Sequence, residues 1–506
     1  MNMTTKATAT GWLWLCFGLC GACEDEPVCT GGIGDSGDCD AGVDAGGDGD
    51  ADADADGDAD RYAAIAASYE AERVAQDVPG LAVGIIEDGE LAWSQGFGVK
   101  DLESGEPITP DTLVRFLDCF WPALAVLTLV DDGEVDLDAP VVEYVPEFTI
   151  DASADLVPLI TIRHLLTHTS GLQSAWGGTV IEDWPVHGEA ALEDYLLSPE
   201  FASTRRLVAE PGEVWHNSGL GAALMALVVQ RVSGQLYADY MRENVLDPLG
   251  MTRTTFRRAE AEADGDFSAG VGGLHNFVEN VNNPWMPPSV AWTSVREMAR
   301  LAQFLLHGDE AVLSQPLFEE AVSPQVPMHE WDRFQQSLVT PMSDGLCVAG
   351  ACPARSDLRH QWLGGWSWGH TNGLNAVPSR DFAFVMLANK PEVDVSESDR
   401  LAMSELLDLP ALEPDYPGDD HDPAIYAGRY VLDDGQRTTR VTLQDDGTLR
   451  LSSPQCLDLE PMGPGVFGCH GWALATFLFD PEGRVKYLVT GNWVATPDPG
   501  DAGGGQ

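Results

Sequence analysis

Lysine is almost missing from this chain. Only four occur in 506 residues, at Lys6, Lys100, Lys390 and Lys486, so none lies between Lys100 and Lys390. Lysine and arginine together number 27 against 81 aspartates and glutamates, a formal net charge of −54. A surface of that sign repels phosphate backbones and excludes nucleic acid as a partner. Otherwise it speaks for solubility and names no specific partner. No serine lies between Ser104 and Ser153, and no tyrosine between Tyr195 and Tyr237. No serine anywhere is followed by lysine three residues later. Past the N-terminus no apolar run approaches the roughly 20 residues that a membrane-spanning helix needs. The 11 histidines show no zinc-ligand spacing and no glycine-rich phosphate loop appears, so no metal or nucleotide cofactor is indicated.

What is present begins with an export signal. Lys6 precedes an apolar run from Gly11 to Ala22, too short to span a bilayer but suited to a signal sequence. It ends in Leu19-Cys20-Gly21-Ala22-Cys23, which resembles a bacterial lipoprotein box. The expectation is a signal peptide over 1–22, lipid on Cys23, and a place in the cell envelope held to a membrane by that lipid. A cleaved secretory signal without lipid is the alternative. From Asp35 to Asp60 the chain holds eleven aspartates, no lysine and no arginine. Self-repulsion and the lack of apolar residues predict an unfolded tether over 23–60. Asp52, Asp54, Asp56 and Gly57 mimic the start of a calcium loop, but Ala63 stands where that loop needs glutamate. Of the ten cysteines, Cys29 with Cys39, Cys347 with Cys352 and Cys456 with Cys469 are the simple local pairings, leaving Cys119 alone.

Folded sequence is expected from Arg61. A helical period covers residues 62–76, and two apolar strands, 81–87 and 91–99, meet at Asp88-Gly89. Residues 122–130 read as an apolar helix, 381–387 as a strand and 396–407 as a closing helix. A connector rich in proline and aspartate spans 410–422. Beyond it, over 423–498, short alternating runs with turn signals predict a small antiparallel β domain, barrel-like, with a disordered tail from 499.

Several stretches, in order, resemble the serine β-lactamase, penicillin-binding-protein and esterase family. They include Val78-Pro79-Gly80-Leu81, Ile108-Thr109-Pro110-Asp111-Thr112, Arg163-His164-Leu165-Leu166-Thr167-His168-Thr169-Ser170-Gly171, Val232-Ser233-Gly234 and Pro248-Leu249-Gly250-Met251. The resemblance covers 61–409. It implies an α+β fold, an antiparallel sheet flanked by helices with a helical subdomain, to which the all-β domain is appended.

The family's chemistry needs a Ser-x-x-Lys motif, with the lysine one turn after the serine to take its proton. It also needs a Tyr-x-Asn motif and a Lys- or His-led triad on a strand. By this resemblance the serine position holds Asp118 and the lysine position Trp121, while Tyr-x-Asn becomes Asn217-Ser218-Gly219, or, in a shifted register, keeps Asn217 as its asparagine with the tyrosine still lost. Pro122 suits a first helical turn, so the helix is expected to start after the altered motif. Gly369-His370-Thr371-Asn372-Gly373 resembles the third motif. Cys119, Ser218, His370, Thr371 and Asn372 are therefore expected to line the cleft, as are Asp118 and Trp121. His168 and Ser170 stand two apart, a spacing that need not bring their side chains together.

Three functions compete. The first is a non-catalytic family member that binds a peptide, a cell-wall fragment or a protein in the old cleft. The second is an altered hydrolase whose nucleophile is a Cys119 thiolate, with His370 as base. The third is an interaction lipoprotein acting through its β domain.

Overall fold

Two strands set the plan of the larger domain, because each is apolar on both faces. Residues Gly80 to Ile86 are all buried, and so are Phe382 to Ala388. A strand buried on both faces needs a layer on each side. The computed structural model describes residues 61–150, 154–173, 191–199, 205–268, 270, 289–328, 334–344, 358–367, 369–408, 418–432, 437–453, 456–468, 474–490 and 493–500. The export segment, Cys23, the acidic stretch and the tail from 501 lie outside the described residues, and each suggested cysteine pair includes a residue outside them.

Strands β1 (Gly80–Glu87) and β2 (Glu90–Gly98) form the predicted hairpin, and β3 (Val114–Leu117) pairs with β4 (Val290–Thr293) in a separate ribbon. Strands β5 (Val326–Pro327), β6 (Phe334–Gln336), β7 (Pro341–Asp344), β8 (Arg359–Ser367), β9 (His370–Val377) and β10 (Phe382–Ala388) complete the main sheet. Its order is β2-β1-β10-β9-β8-β7-β6-β5, and its pairings are antiparallel. The helices that matter to the site are α1 (Ala63–Ala75), α2 (Phe120–Asp131), α3 (Ile162–Leu166), α4 (Gly219–Ser233), α5 (Val295–His307) and α6 (Ser396–Leu406).

Alternation along the two central strands sorts side chains between the layers. Leu81, Val83, Ile85, Phe384 and Met386 pack with Ile65 and Tyr69 of α1 and Ala402 of α6. The Tyr69 hydroxyl donates to Asp399 Oδ1 at 2.7 Å, joining those helices. Ala82, Ile86, Val385 and Leu387 face the other way, onto Val295, Met298 and Ala302 of α5. A Cβ on Gly84 would come within 2.5 Å of Val295 Cγ1, so glycine there lets the first turn of α5 lie on the sheet. In α2 every residue from Phe120 to Leu129 is buried, and in α4 every residue from Gly219 to Val229. Helices apolar all round are enclosed ones, and these two fill the centre of the helical layer.

The C-terminal strands close into an antiparallel barrel, β11 (Gly428–Leu432), β12 (Thr438–Leu443), β13 (Leu449–Ser453), β14 (Cys456–Gly463), β15 (Val466–Gly468), β16 (Leu474–Phe479), β17 (Val485–Thr490) and β18 (Trp493–Pro497). Closure leaves no exposed sheet edge. Tyr426 fills its interior, ringed by Phe467, Phe477 and Phe479 with centroids at 5.1, 4.5 and 6.0 Å. The Tyr426 hydroxyl donates to Asp419 Oδ2 at 2.7 Å. The barrel's own contacts thus begin at Asp419, inside the expected 410–422 connector. On the larger domain the barrel rests against the turn before α4. There Tyr487, Val489 and Val494 meet Ala209 and Val214, and the Tyr487 hydroxyl and Lys486 ammonium both donate to Glu213, at 2.7 and 2.5 Å.

Candidate functional site

The ribbon β3–β4 delivers Asp118 to the mouth of α2. The Asp118 N–H donates to the Ser289 carbonyl at 2.8 Å, extending the ladder by one residue. Its side chain then makes two further bonds. Oδ1 accepts the Phe120 N–H at 2.7 Å, one of the free donors at the start of α2, and Oδ2 accepts the Gly364 N–H of β8 at 2.7 Å. The carboxylate therefore bridges helix and sheet. Both N–H groups favour its charged form, but burial outweighs them and lifts the carboxyl to about 7. Among the described residues no lysine, arginine or histidine forms an ion pair with it.

This arrangement corrects the expected helix boundary. Helix α2 starts at Phe120, so the altered motif lies at its mouth and in its first turn. Pro122 is accommodated because first-turn N–H groups have no intrahelical partner to lose. Trp121 is corrected as well. It is fully buried in the core and does not line the cleft. Phe116, Phe120 and Phe256 meet it edge-on at centroid distances of 6.0, 5.7 and 5.6 Å. Its indole Nε1 has no hydrogen-bond partner among the described residues.

Cys119 is partly exposed and donates its S–H to Asn217 Oδ1 at 3.6 Å. Burial, and then the negative charge of Asp118, push the thiol up to about 12, against a smaller opposite effect from the Ser289 hydroxyl. At neutral pH the sulfur keeps its proton. That removes the physical basis for the expected thiolate, since the helix mouth that could have stabilised it is occupied by Asp118.

Ser218 caps α4 by accepting the Gly221 N–H at 2.9 Å and donates to the Gln173 carbonyl at 2.9 Å. It is buried, so it belongs to the wall rather than to its surface. Gly219 begins the helix. Behind them the Ser218 N–H reaches His168 Nδ1 at 3.3 Å, and the ring of His168, held near 4 by burial and then by His216, is neutral. Ser170 Oγ instead accepts the Leu172 N–H at 3.3 Å. His168 and Ser170 thus serve separate backbone groups and form no catalytic pair.

The third motif sits one strand further from Asp118 than the resemblance suggests. Residues 370–373 lie on β9, whereas the strand that touches Asp118 is β8. His370, Thr371 and Asn372 are all buried, so none lines the cleft. His370 Nε2 lies 3.0 Å from the Ser268 carbonyl with its ring edge-on to Trp292, whereas the Cys119 S–H is directed at the Asn217 amide. Thr371 Oγ1 donates to the Lys390 carbonyl at 2.8 Å. The Asn372 amide clasps the backbone of Leu117, accepting its N–H at 3.0 Å and donating to its carbonyl at 3.2 Å, and so fixes the residue before Asp118.

Two residues escaped the sequence reading. Ser289 anchors Asp118, and Gly364 supplies its second donor. The signal was Gly364-Gly365 inside a strand, a pattern that marks close approach of another group to the backbone. A Cβ on Gly364 would lie 2.9 Å from the Asn372 carbonyl. The described site thus brings together Asp118, Cys119, Asn217 and the bare backbone of Gly364 and Gly365, all of them at least partly exposed. It offers a carboxyl, an amide and a neutral thiol.

A family model described as Beta-lactamase matches residues 66–407. Esterase EstB of Burkholderia gladioli is 38% identical over 194 residues, 36% of this chain and 48% of that protein, so the match spans about half of its length. Penicillin-binding protein 4* of Bacillus subtilis (strain 168) is 26% identical over 403 residues, covering 72% of this chain and 83% of that protein. Among solved structures, SurE with D-Leu shares the fold with a TM-score of 0.65 at 19% identity, over 87% of this chain and 100% of that one. The octameric penicillin-binding protein homologue from Pyrococcus abyssi gives 0.56 at 21% identity, over 86% and 98%.

If Trp121 is a core residue, truncation should be costly. Trp121→Ala is expected to lower unfolding stability by about 3–5 kcal/mol in chemical denaturation, the range for a large buried aromatic. A loss under about 1 kcal/mol would show that the side chain borders open space.

Proposed function

Because this chain belongs to the β-lactamase family, we propose that it is a non-catalytic member that binds a peptide, a cell-wall fragment or a protein in the recess around Asp118. The observation that carries the reading is the Asp118 carboxylate, which occupies the nucleophile's position and takes the N–H groups of Phe120 and Gly364 for itself. An aspartate is a poor acyl-transfer nucleophile, since attack would give an anhydride. A tryptophan at the lysine position cannot accept a proton, and Asn217 cannot replace a tyrosine relay. The relatives named as an esterase and as a penicillin-binding protein make acyl compounds the natural probes. Hydrolysis through Cys119 has no comparable support, because its thiol is held protonated.

The purified chain should neither hydrolyse short esters nor be acylated by a fluorescent penicillin. Loss of nucleophile and base together removes about six orders of magnitude in rate. Stoichiometric covalent labelling would overturn the reading.

The proposal includes export and anchoring by lipid on Cys23, supported by the short apolar run and the small-residue box before it. Cys23→Ser is expected to move the protein from the membrane to the soluble fraction of a bacterial host. Unchanged partition between the two fractions would exclude lipid as the anchor.

A further inference from the structure

We infer that the recess is reversed in polarity and selects an ammonium-bearing ligand, with Asp118 as its anionic receptor. The inference rests on the binding reading above and narrows it to one ligand chemistry. Two N–H groups from different elements, Phe120 of α2 and Gly364 of β8, converge on one carboxylate at 2.7 Å each. Such a pair of converging donors would otherwise receive the oxygen of an incoming carbonyl or carboxylate. With the ionised Asp118 seated there, an acyl oxygen finds both N–H donors taken and a carboxylate meets a like charge.

The carboxylate remains available on its outer side. Each oxygen has used one acceptor site, and a carboxylate has about four. Asp118 is mostly enclosed but keeps some exposure, Gly364 beside it is exposed, and the strand above it presents glycine with no side chain to overhang. Among the described residues no cation pairs with Asp118, whereas arginines elsewhere have acidic partners, such as Arg253 with Asp264 and Arg163 with Asp138. A partly enclosed carboxylate without a counter-ion is the strongest attractor for a cation that this recess contains, because a charged hydrogen bond made outside bulk water exceeds a neutral one. Beside it the Asn217 amide supplies a neutral polar group, its Oδ1 already receiving the Cys119 S–H. The lysine-poor, strongly acidic composition acts in the same direction, raising the local concentration of cationic ligands.

The test uses the full chain and three small probes, glycylglycine amide, its N-acetyl derivative and N-acetylglycylglycine, titrated by calorimetry or ligand-observed NMR. These carry a free ammonium, no charge and a carboxylate respectively. The ammonium probe should bind at least about tenfold more tightly than either of the others, and Asp118→Ala should abolish that preference. The same variant frees the two N–H donors and should gain affinity for the carboxylate probe, a gain of function that a misfolded variant could not show. Binding of the carboxylate probe to the unaltered chain in preference to the ammonium probe would overturn the inference and leave the binding reading standing. Ammonium binding that survives Asp118→Ala unchanged would overturn the assignment to Asp118. If no probe binds the unaltered chain, the inference is wrong; continued absence of acylation would show that this failure is separate from that of the non-catalytic reading.

Discussion

The site depends on one carboxylate and its two backbone donors. Asp118 closes the start of α2 and at the same time holds β8 against it, through 2.7 Å bonds to Phe120 and Gly364. Everything nearby follows from that bridge. The helix can begin at Phe120 because its first N–H has a partner. The Cys119 thiol stays protonated because a negative neighbour and burial both oppose ionisation. The Asn372 amide, by clasping Leu117 from the opposite side, keeps the bridge in register with the main sheet.

Behind the bridge the chain is packed with apolar side chains. Trp121 closes a cluster with Phe116, Phe120 and Phe256, where edge-to-face rings add about 0.5–1.5 kcal/mol per pair beyond area burial. A lysine in that place would have to be desolvated among aromatic rings, at a cost that reactivity alone would justify. Trp121 thus contributes packing to this region. The barrel supports the same region from outside, since Glu213, which binds Tyr487 and Lys486, lies four residues before Asn217.

Much of the fold was legible because its signals are local. Strands β1 and β10 are apolar runs bounded by turns, α2 is apolar throughout, and most barrel strands alternate with glycine or aspartate turns between them. Strands β8 and β9 were not legible as a pair. Their residues are tryptophan, glycine, histidine and asparagine, and only the hairpin pairing of Gly364 with Gly373 and Gly365 with Asn372 defines them. For the same reason His370 was placed on the cleft wall, although it is buried one strand away. The start of α2 was misplaced because its cap comes from a side chain that the sequence presents only as a lost nucleophile. Asp118, Cys119 and Asn217 were singled out in the sequence, and the structure brings Cys119 and Asn217 into contact. That Ser218 caps a helix, and that Trp121, Thr371 and Asn372 are packed inside, depends on tertiary contacts that no local pattern reports.

The Asp118 carboxyl sits where burial outweighs the two N–H donors. Its titration in the folded state tests this most directly. With its folded value raised to about 7 above an ordinary carboxylate value of about 3.9, the group favours the folded state most below about pH 4 and loses that contribution as pH rises through about 7. The measurement is unfolding stability against pH for the unaltered chain and for Asp118→Asn. The difference between them is expected to move against the unaltered chain from about pH 4 to about pH 8. A difference that stays flat, or that moves in its favour as pH rises, would show that the donors win and that the carboxylate is an ordinary charged cap.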